Sequence, residues 1–551
     1  MGRSFLALLA LIAGCSGGEA PATDTAVADG PRDTLVVAIN ADINSLNVVT
    51  SASATDAPIL DALNYGLLDA EFKCGLHYIP QWATEWSWSE DGKVLSMTLH
   101  DGLKWSDGTP VTPEDLVFTS DLLADPAVQT ARTSNIERME PTGRPKVIDA
   151  THIEWHFTEA YNRDTQLSHT SLGFVPKHIL KDADRATLNG HEFSHNPVVN
   201  GPFKLAKYEP GQRIVLEPNE NFTGPAEMKP RLNRVIFKVI PEYSTRLLEL
   251  QNGSVDMMDQ ISVADADILR EQYPNIKLYR RGYRGMDSVA WNIKNPKFSD
   301  LRVRKALAMA VDVDNLIAKL LTAKSGEAYA TRAVGTVTPA ACDVHNSDIK
   351  PIEYNVEQAK ALLAEAGWAD TNNNGTIDKD GKEFEFTMIT NADNKRRGEA
   401  AIRLQSSFQA VGVKMNIEKL EFNTMTERLK NRDFEAAVMG WAASLILDMS
   451  PVWSSDLPDR KRELNYTAYS NPEVDALISQ AIAATDPAVA TPLWREAQAK
   501  IYEDQPYLFL YWMDEIVGVD SRFTTVNTNI SSRLFHLYDW EVDPTKVKYP
   551  R

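Results

Sequence analysis

Along residues 288–321, SVAWNIKNPKFSDLRVRKALAMAVDVDNLIAKLL, the pattern of apolar and polar positions changes period. Val289 to Ile293 is a short apolar run, the signature of a buried strand. Lys294-Asn295-Pro296 interrupts it. Val303, Ala306, Leu307, Ala310 and Val311 then recur at helical spacing, while Arg302 and Lys305 point elsewhere. Asp300 stands at the N-cap, where its carboxylate can accept a backbone N–H left unpaired in the first turn. A second start at Asp312 to Asp314 opens a helix whose buried stripe is Leu316, Ile317, Leu320 and Leu321. One strand and two amphipathic helices in this order belong to an α/β domain.

The same reading extends along the chain. Thr34 to Ile39 is a buried strand, Asn40 to Leu46 a polar loop, and Ile59, Leu60, Leu63 and Leu67 give helical spacing over 56–68. Trp86, Trp88, Val94, Ser96, Thr98 and His100 alternate as in a strand; Asp107-Gly108 then supplies a turn and Thr112-Pro113-Glu114-Asp115 a helix start. Further strands are predicted at 147–157, 235–240 and 413–417, and helices at 245–251, 355–367 and 402–411. Gly367 suits a helix end.

A chain of 551 residues exceeds one ordinary core, so two or three domains are expected. The formal charge of −19 excludes nucleic acid as a partner, because phosphates require Lys and Arg. The first residues, MGRSFLALLALIAGC, combine Arg3 with an apolar run from Phe5 to Ala13 that is too short to span a bilayer. Ile12-Ala13-Gly14-Cys15 resembles a bacterial lipobox, which implies a signal peptide over 1–14 and a lipidated Cys15. Residues 16–33, rich in Gly, Ala, Pro, Thr and Asp, read as a flexible tether. Cys74 and Cys342 then share an oxidising compartment, and whether they bridge stays open.

Several phrases carry a family resemblance. WNIKNPKFSDLRVRKALAMAVDVDNLI, LHDGLKWSDGTPVTPEDLVFT, NGPFKLAKYEPGQRIVLEPNENF, NGSVD and YTAYSNPEVD resemble those of extracytoplasmic solute-binding proteins of family 5, the peptide- and nickel-type group that serves ABC importers. The resemblance implies an α/β, two-lobed periplasmic binding protein fold (type II-like) with an extra subdomain. On it, the proximal lobe comprises 34–70, 195–288 and 507–551, the subdomain 71–194, and the distal lobe 289–506. It also implies a monomer that is not an enzyme, held outside the cytoplasmic membrane by its lipid anchor and delivering peptides to an ABC permease. Alternatives are a nickel chelate, a sugar or an opine as ligand, and a peptide-holding chaperone or sensor without a permease.

In that family the segment Gly440-Trp441-Ala442-Ala443-Ser444-Leu445-Ile446-Leu447-Asp448 edges the cleft between lobes. Peptide-binding members often place an Asp at the position of Ser444 to hold the ligand's α-ammonium. Here Asp448 is the neighbouring acid, Trp441 and Trp453 are candidate flat walls, and Tyr65, Asn47 and Asn292 are further candidates.

Two motifs point to other chemistry. His191-Glu192-Phe193-Ser194-His195 is a literal HExxH, which in a zinc peptidase puts both His on one helix face; Asn189-Gly190 before it and Asn196-Pro197 after it oppose such a helix. Asp370, Asn372, Asn374 and Asp378, with Gly375 at the sharp turn, fit the first nine positions of a calcium loop, but Gly381 stands where its closing Glu belongs and Glu383 is nearby. A calcium ion there would be structural; no other cofactor is expected.

Overall fold

A computed structural model describes residues 34–548, apart from positions 52, 54, 131, 133–135, 137, 141–142, 172, 393, 459–460 and 463 and the side chain at 284. The expected signal peptide, Cys15 and the tether therefore lie outside the described residues.

Two long antiparallel strands organise the molecule. Ile276–Trp291 pairs with Tyr507–Asp520 from Ile276 opposite Asp520 to Ala290 opposite Tyr507. At roughly 3.3 Å per residue such strands are long enough to cross from one lobe to the other. At one end they carry Ala436–Ala442, Glu385–Asn391 and Lys414–Leu420; at the other, Met257–Met258, Thr34–Ile39, Arg234–Val239, Arg213–Pro218 and Phe203–Glu209. With Ala330–Arg332 alongside Tyr507–Asp520, this is one eleven-stranded sheet shared by two lobes.

The short strand expected at 289–293 is the end of this long one, which stops at Trp291. Its earlier part carries Lys277, Arg280, Arg281 and Asp287 and passes through changing surroundings, so no single alternation marks it. Within the distal lobe both faces are covered, which yields an almost continuous apolar run. Val289, Trp291, Leu508 and Leu510 pack against Leu301–Met309, Val313–Leu320, Val356–Glu365 and Lys395–Gln409. Met286, Ala290, Tyr507 and Phe509 pack on the opposite side against Phe422–Asn431, Pro472–Ala483 and Pro487–Asp504. In the proximal lobe Leu35, Val37 and Ile39 face the helix Ala57–Leu63, whereas Val36 and Ala38 face Tyr243–Asn252 and Val263–Gln272.

The expected caps form. Asp300 accepts from Arg302 N at 2.8 Å and Asp312 from Asn315 N at 2.9 Å, and Gly367 ends its helix at φ +89°. The helix expected over 56–68 stops at Leu63 because Leu67 and Leu68 turn into the subdomain core. That core gathers Trp82, Leu95, Met97, Trp105, Phe118 and Phe174 between a small sheet and the helix Pro113–Ala124, which starts on a Thr112–Asp115 capping box. The alternating stretch 86–100 resolves into two antiparallel strands, Ala83–Trp88 and Val94–Leu99.

A hairpin, Leu68–Lys73 with Gly75–Pro80, leaves this core and reaches the distal lobe, where Phe72 and Leu76 join the distal packing. At its tip Cys74 is disulfide-bonded to Cys342, with Cα atoms 4.7 Å apart. The pairing left open by the sequence is made.

Candidate functional site

Where the long strands pass between lobes their ladder is broken. Pairing shifts between Arg281 and Gly285, and Tyr283 adopts φ +51°. Charged side chains hold the break: Asp514 accepts from Tyr283 N at 2.9 Å and pairs with Arg280, while Arg281 pairs with Glu515 and donates to Asn529 O at 2.7 Å. An irregular crossing held by side chains suits a hinge.

The segment expected at the cleft edge continues from the strand Ala436–Ala442. Near the end of that strand Trp441 is half-buried and stacked on Tyr466 at 5.5 Å. Ser444 is exposed, and its Oγ donates to Ile446 O at 2.5 Å. Asp448 accepts from Ser450 N at 2.9 Å and Ser450 Oγ at 2.6 Å through one oxygen, and from Arg138 Nη2 at 3.2 Å through the other. Arg138 adjoins the small sheet of the extra subdomain, so this ion pair joins that body to the distal lobe. A second contact, Asn162 N donating to Ile482 O at 3.1 Å, joins the same two bodies.

Trp441, Ser444 and Asp448 thus lie along one strand end and the segment after it, whereas the other candidates lie elsewhere. Trp453 is 3% exposed and packs edge-on against Tyr507 at 5.0 Å, so it is a core residue rather than a cleft wall. Asn47 is buried and braces its own loop by accepting from Val49 N at 2.9 Å. Tyr65 is buried against Phe222, and Asn200 bonds its backbone N–H and C=O. Asn292 donates to Arg432 O and Phe434 O at the far end of the strand pair from Trp441, about 17–20 Å away at strand rise. Their types suit a binding site, but Tyr65 and Asn292 have structural partners, and Asn47 bonds within its own loop with its Nδ2 buried and without an acceptor among the described residues.

The sequence reading missed a charged cluster one ladder position from Trp441, on the opposite face of the sheet. Asp287 is fully buried and accepts from Arg396 Nε and Arg397 Nε, each at 2.9 Å, and from the Tyr511 hydroxyl at 3.3 Å. Burial alone would raise its pKa; the two guanidiniums outweigh that and hold it below the usual carboxylate range. Asp287 faces Gly440 across the ladder, where a Cβ would overlap Arg397 Nη2 and lie 2.5 Å from Asp287 Oδ1. One carboxylate for two guanidiniums leaves a net positive charge, and Arg396 remains partly exposed at 31%. Two arginines in the first turn of a helix oppose its dipole, and that anomaly was a readable signal.

The zinc motif does not assemble its site. His191 to His195 spans a short 3₁₀ turn: His191 Nδ1 accepts from Phe193 N, and His195 stacks on Tyr208 at 5.4 Å. The two imidazoles share no α-helical face, as zinc would require. In the turn 370–378, Asp370 accepts from Asn374 N and Gly375 N, and Asn372 also accepts from Asn374 N. Asn374 accepts from Thr376 N, and Asp378 accepts from Thr371 N and Oγ1. Strands follow instead of the second helix of a calcium hand. These bonds set the turn through its Asx side chains and Gly375.

Residues 77–462 match the family model of bacterial extracellular solute-binding proteins, family 5 Middle. The chain belongs to this family. Among family-5 relatives, it is 30% identical over 456 residues to the oligopeptide-binding protein AppA of Bacillus subtilis, covering 82% of this chain and 81% of that one. It is 27% identical over 529 residues to the periplasmic oligopeptide-binding protein OppA of Salmonella typhimurium, covering 92% and 91%. The structure of Bacillus subtilis AppA in complex with a nonapeptide matches with a TM-score of 0.78 at 28% identity, over 93% of this chain and 100% of that one. The two-lobed family-5 fold is therefore shared, and these relatives are binding proteins.

Proposed function

We propose that this family-5 protein captures peptides in the cleft between its lobes and hands them to an ABC permease in the bacterial cytoplasmic membrane. The observation that carries this reading is the likeness to the oligopeptide-binding AppA along most of both chains. Trp441 offers a flat apolar surface, Arg396 a guanidinium for a C-terminal carboxylate, and Asp448 a carboxylate for an ammonium group. Ligand bridging the lobes favours the closed state because it contacts both. The chemistry is binding without turnover, and Cys15 anchors the mature protein by lipid as a monomer.

Native mass spectrometry of the purified protein, followed by thermal shift with peptide pools, tests this. A co-purifying peptide mixture, or stabilisation by short peptides that is lost in Trp441→Ala, is the expected result. Stabilisation only by a metal chelate, a sugar or an opine would overturn the peptide assignment.

A further inference from the structure

A separate cavity of about 310 Å³ lies inside the proximal lobe, between the helix Ala57–Leu63, the base of the hairpin near Asp69 and the C-terminal segment 532–538. None of its lining residues comes from 289–506, so it is complete without the distal lobe. Its volume falls within the range of small-molecule sites.

Leu60, Phe203 and Leu534 give it apolar walls, and Asp61 and Arg132 bring opposite charges. Asp61 is exposed where it lines the cavity, and its carboxylate makes no hydrogen bond or ion pair among the described residues. Asp69, by contrast, is paired with His536 at 3.4 Å. Arg132 donates Nη2 to Ser51 O at 3.4 Å, its Nε is buried without an acceptor, and it has no carboxylate partner among the described residues.

A ligand that fills the cavity strips water from both charged groups, which is costly unless it pairs with each. Here a carboxylate and a guanidinium share one cavity without meeting. We infer that the cavity binds a small zwitterion, its ammonium on Asp61 and its carboxylate on Arg132: a free amino acid, or another small molecule carrying both charges. A ligand of one sign would leave the opposite ion uncompensated, whereas a zwitterion neutralises both. This site is independent of the cleft and of its peptide.

The test is isothermal titration of the full-length protein with the twenty free L-amino acids one at a time, then with the N-acetyl and methyl-ester forms of any that binds. At least one amino acid is expected to bind, with each blocked form weakened by roughly tenfold or more, as loss of a charge-assisted hydrogen bond requires. Asp61→Asn and Arg132→Gln should each weaken it comparably. Asp61→Asn removes an exposed charge without a partner among the described residues, so it should melt no lower than the wild type, which separates lost binding from lost folding. Trp441→Ala should leave amino-acid binding unchanged. Absence of binding heat at millimolar amino acid, indifference to Asp61→Asn, or loss in Trp441→Ala would each overturn the inference. Peptide binding lost in Trp441→Ala but kept in Asp61→Asn leaves the cleft reading standing whatever the cavity does.

Discussion

Arg138 and Asp448, 310 residues apart in sequence, meet at 3.2 Å and join the extra subdomain to the distal lobe. Both side chains are about a quarter exposed. A pair of this kind contributes on the order of 0.2–1 kcal/mol, too little to lock the cleft but enough to bias it. Arg138→Ala should therefore leave the melting temperature almost unchanged while raising the ligand-free radius of gyration in small-angle scattering. An unchanged scattering curve would show that the pair has no part in closure.

Asp287 between Arg396 and Arg397 is a different case, because the carboxylate is fully buried. Removing it leaves two guanidiniums without their partner, at a cost of about 3–5 kcal/mol. Its pKa is depressed in the folded state. Its contribution is therefore present above the unfolded value of about 4 and is lost as pH falls through the folded pKa. Urea unfolding of Asp287→Asn should show a deficit at pH 7 that shrinks in acid below about pH 4. A deficit independent of pH would refute the electrostatic origin.

The Cys74–Cys342 bond closes a sequence separation of 268 residues. Disulfides of long span contribute about 2–5 kcal/mol by constraining the unfolded chain. A reductant should lower the melting temperature of the wild type and have no effect on a Cys74→Ser/Cys342→Ser double variant, which should melt at the reduced value.

Ser444 is exposed at the cleft edge, near the paired Asp448. Ser444→Asp adds a carboxylate that is not already engaged by Arg138. If the ligand is a peptide with a free N-terminus, this variant should bind it roughly tenfold or more tighter, and N-acetylated peptide no tighter, in line with a charge-assisted hydrogen bond. Equal gains for both peptides would mean that the ammonium lies elsewhere.

The sequence by itself determined what depends on near neighbours. Asp300, Asp312 and Gly367 set helix ends because a cap is a contact over a few residues, and the apolar periods of 303–311 and 34–39 set which faces are buried. The fold class and family followed from phrases built of such local rules. Tertiary structure alone decided the site. It joined Asp287 to arginines 109 and 110 residues away, Arg138 to Asp448, and Cys74 to Cys342. It also made core residues of Trp453 and Tyr65 and opened a cavity around Asp61. Polar and aromatic residues carry no mark of their distant partners, because whether a charge is paired, buried or left facing a space depends on elements that only the folded sheet brings together.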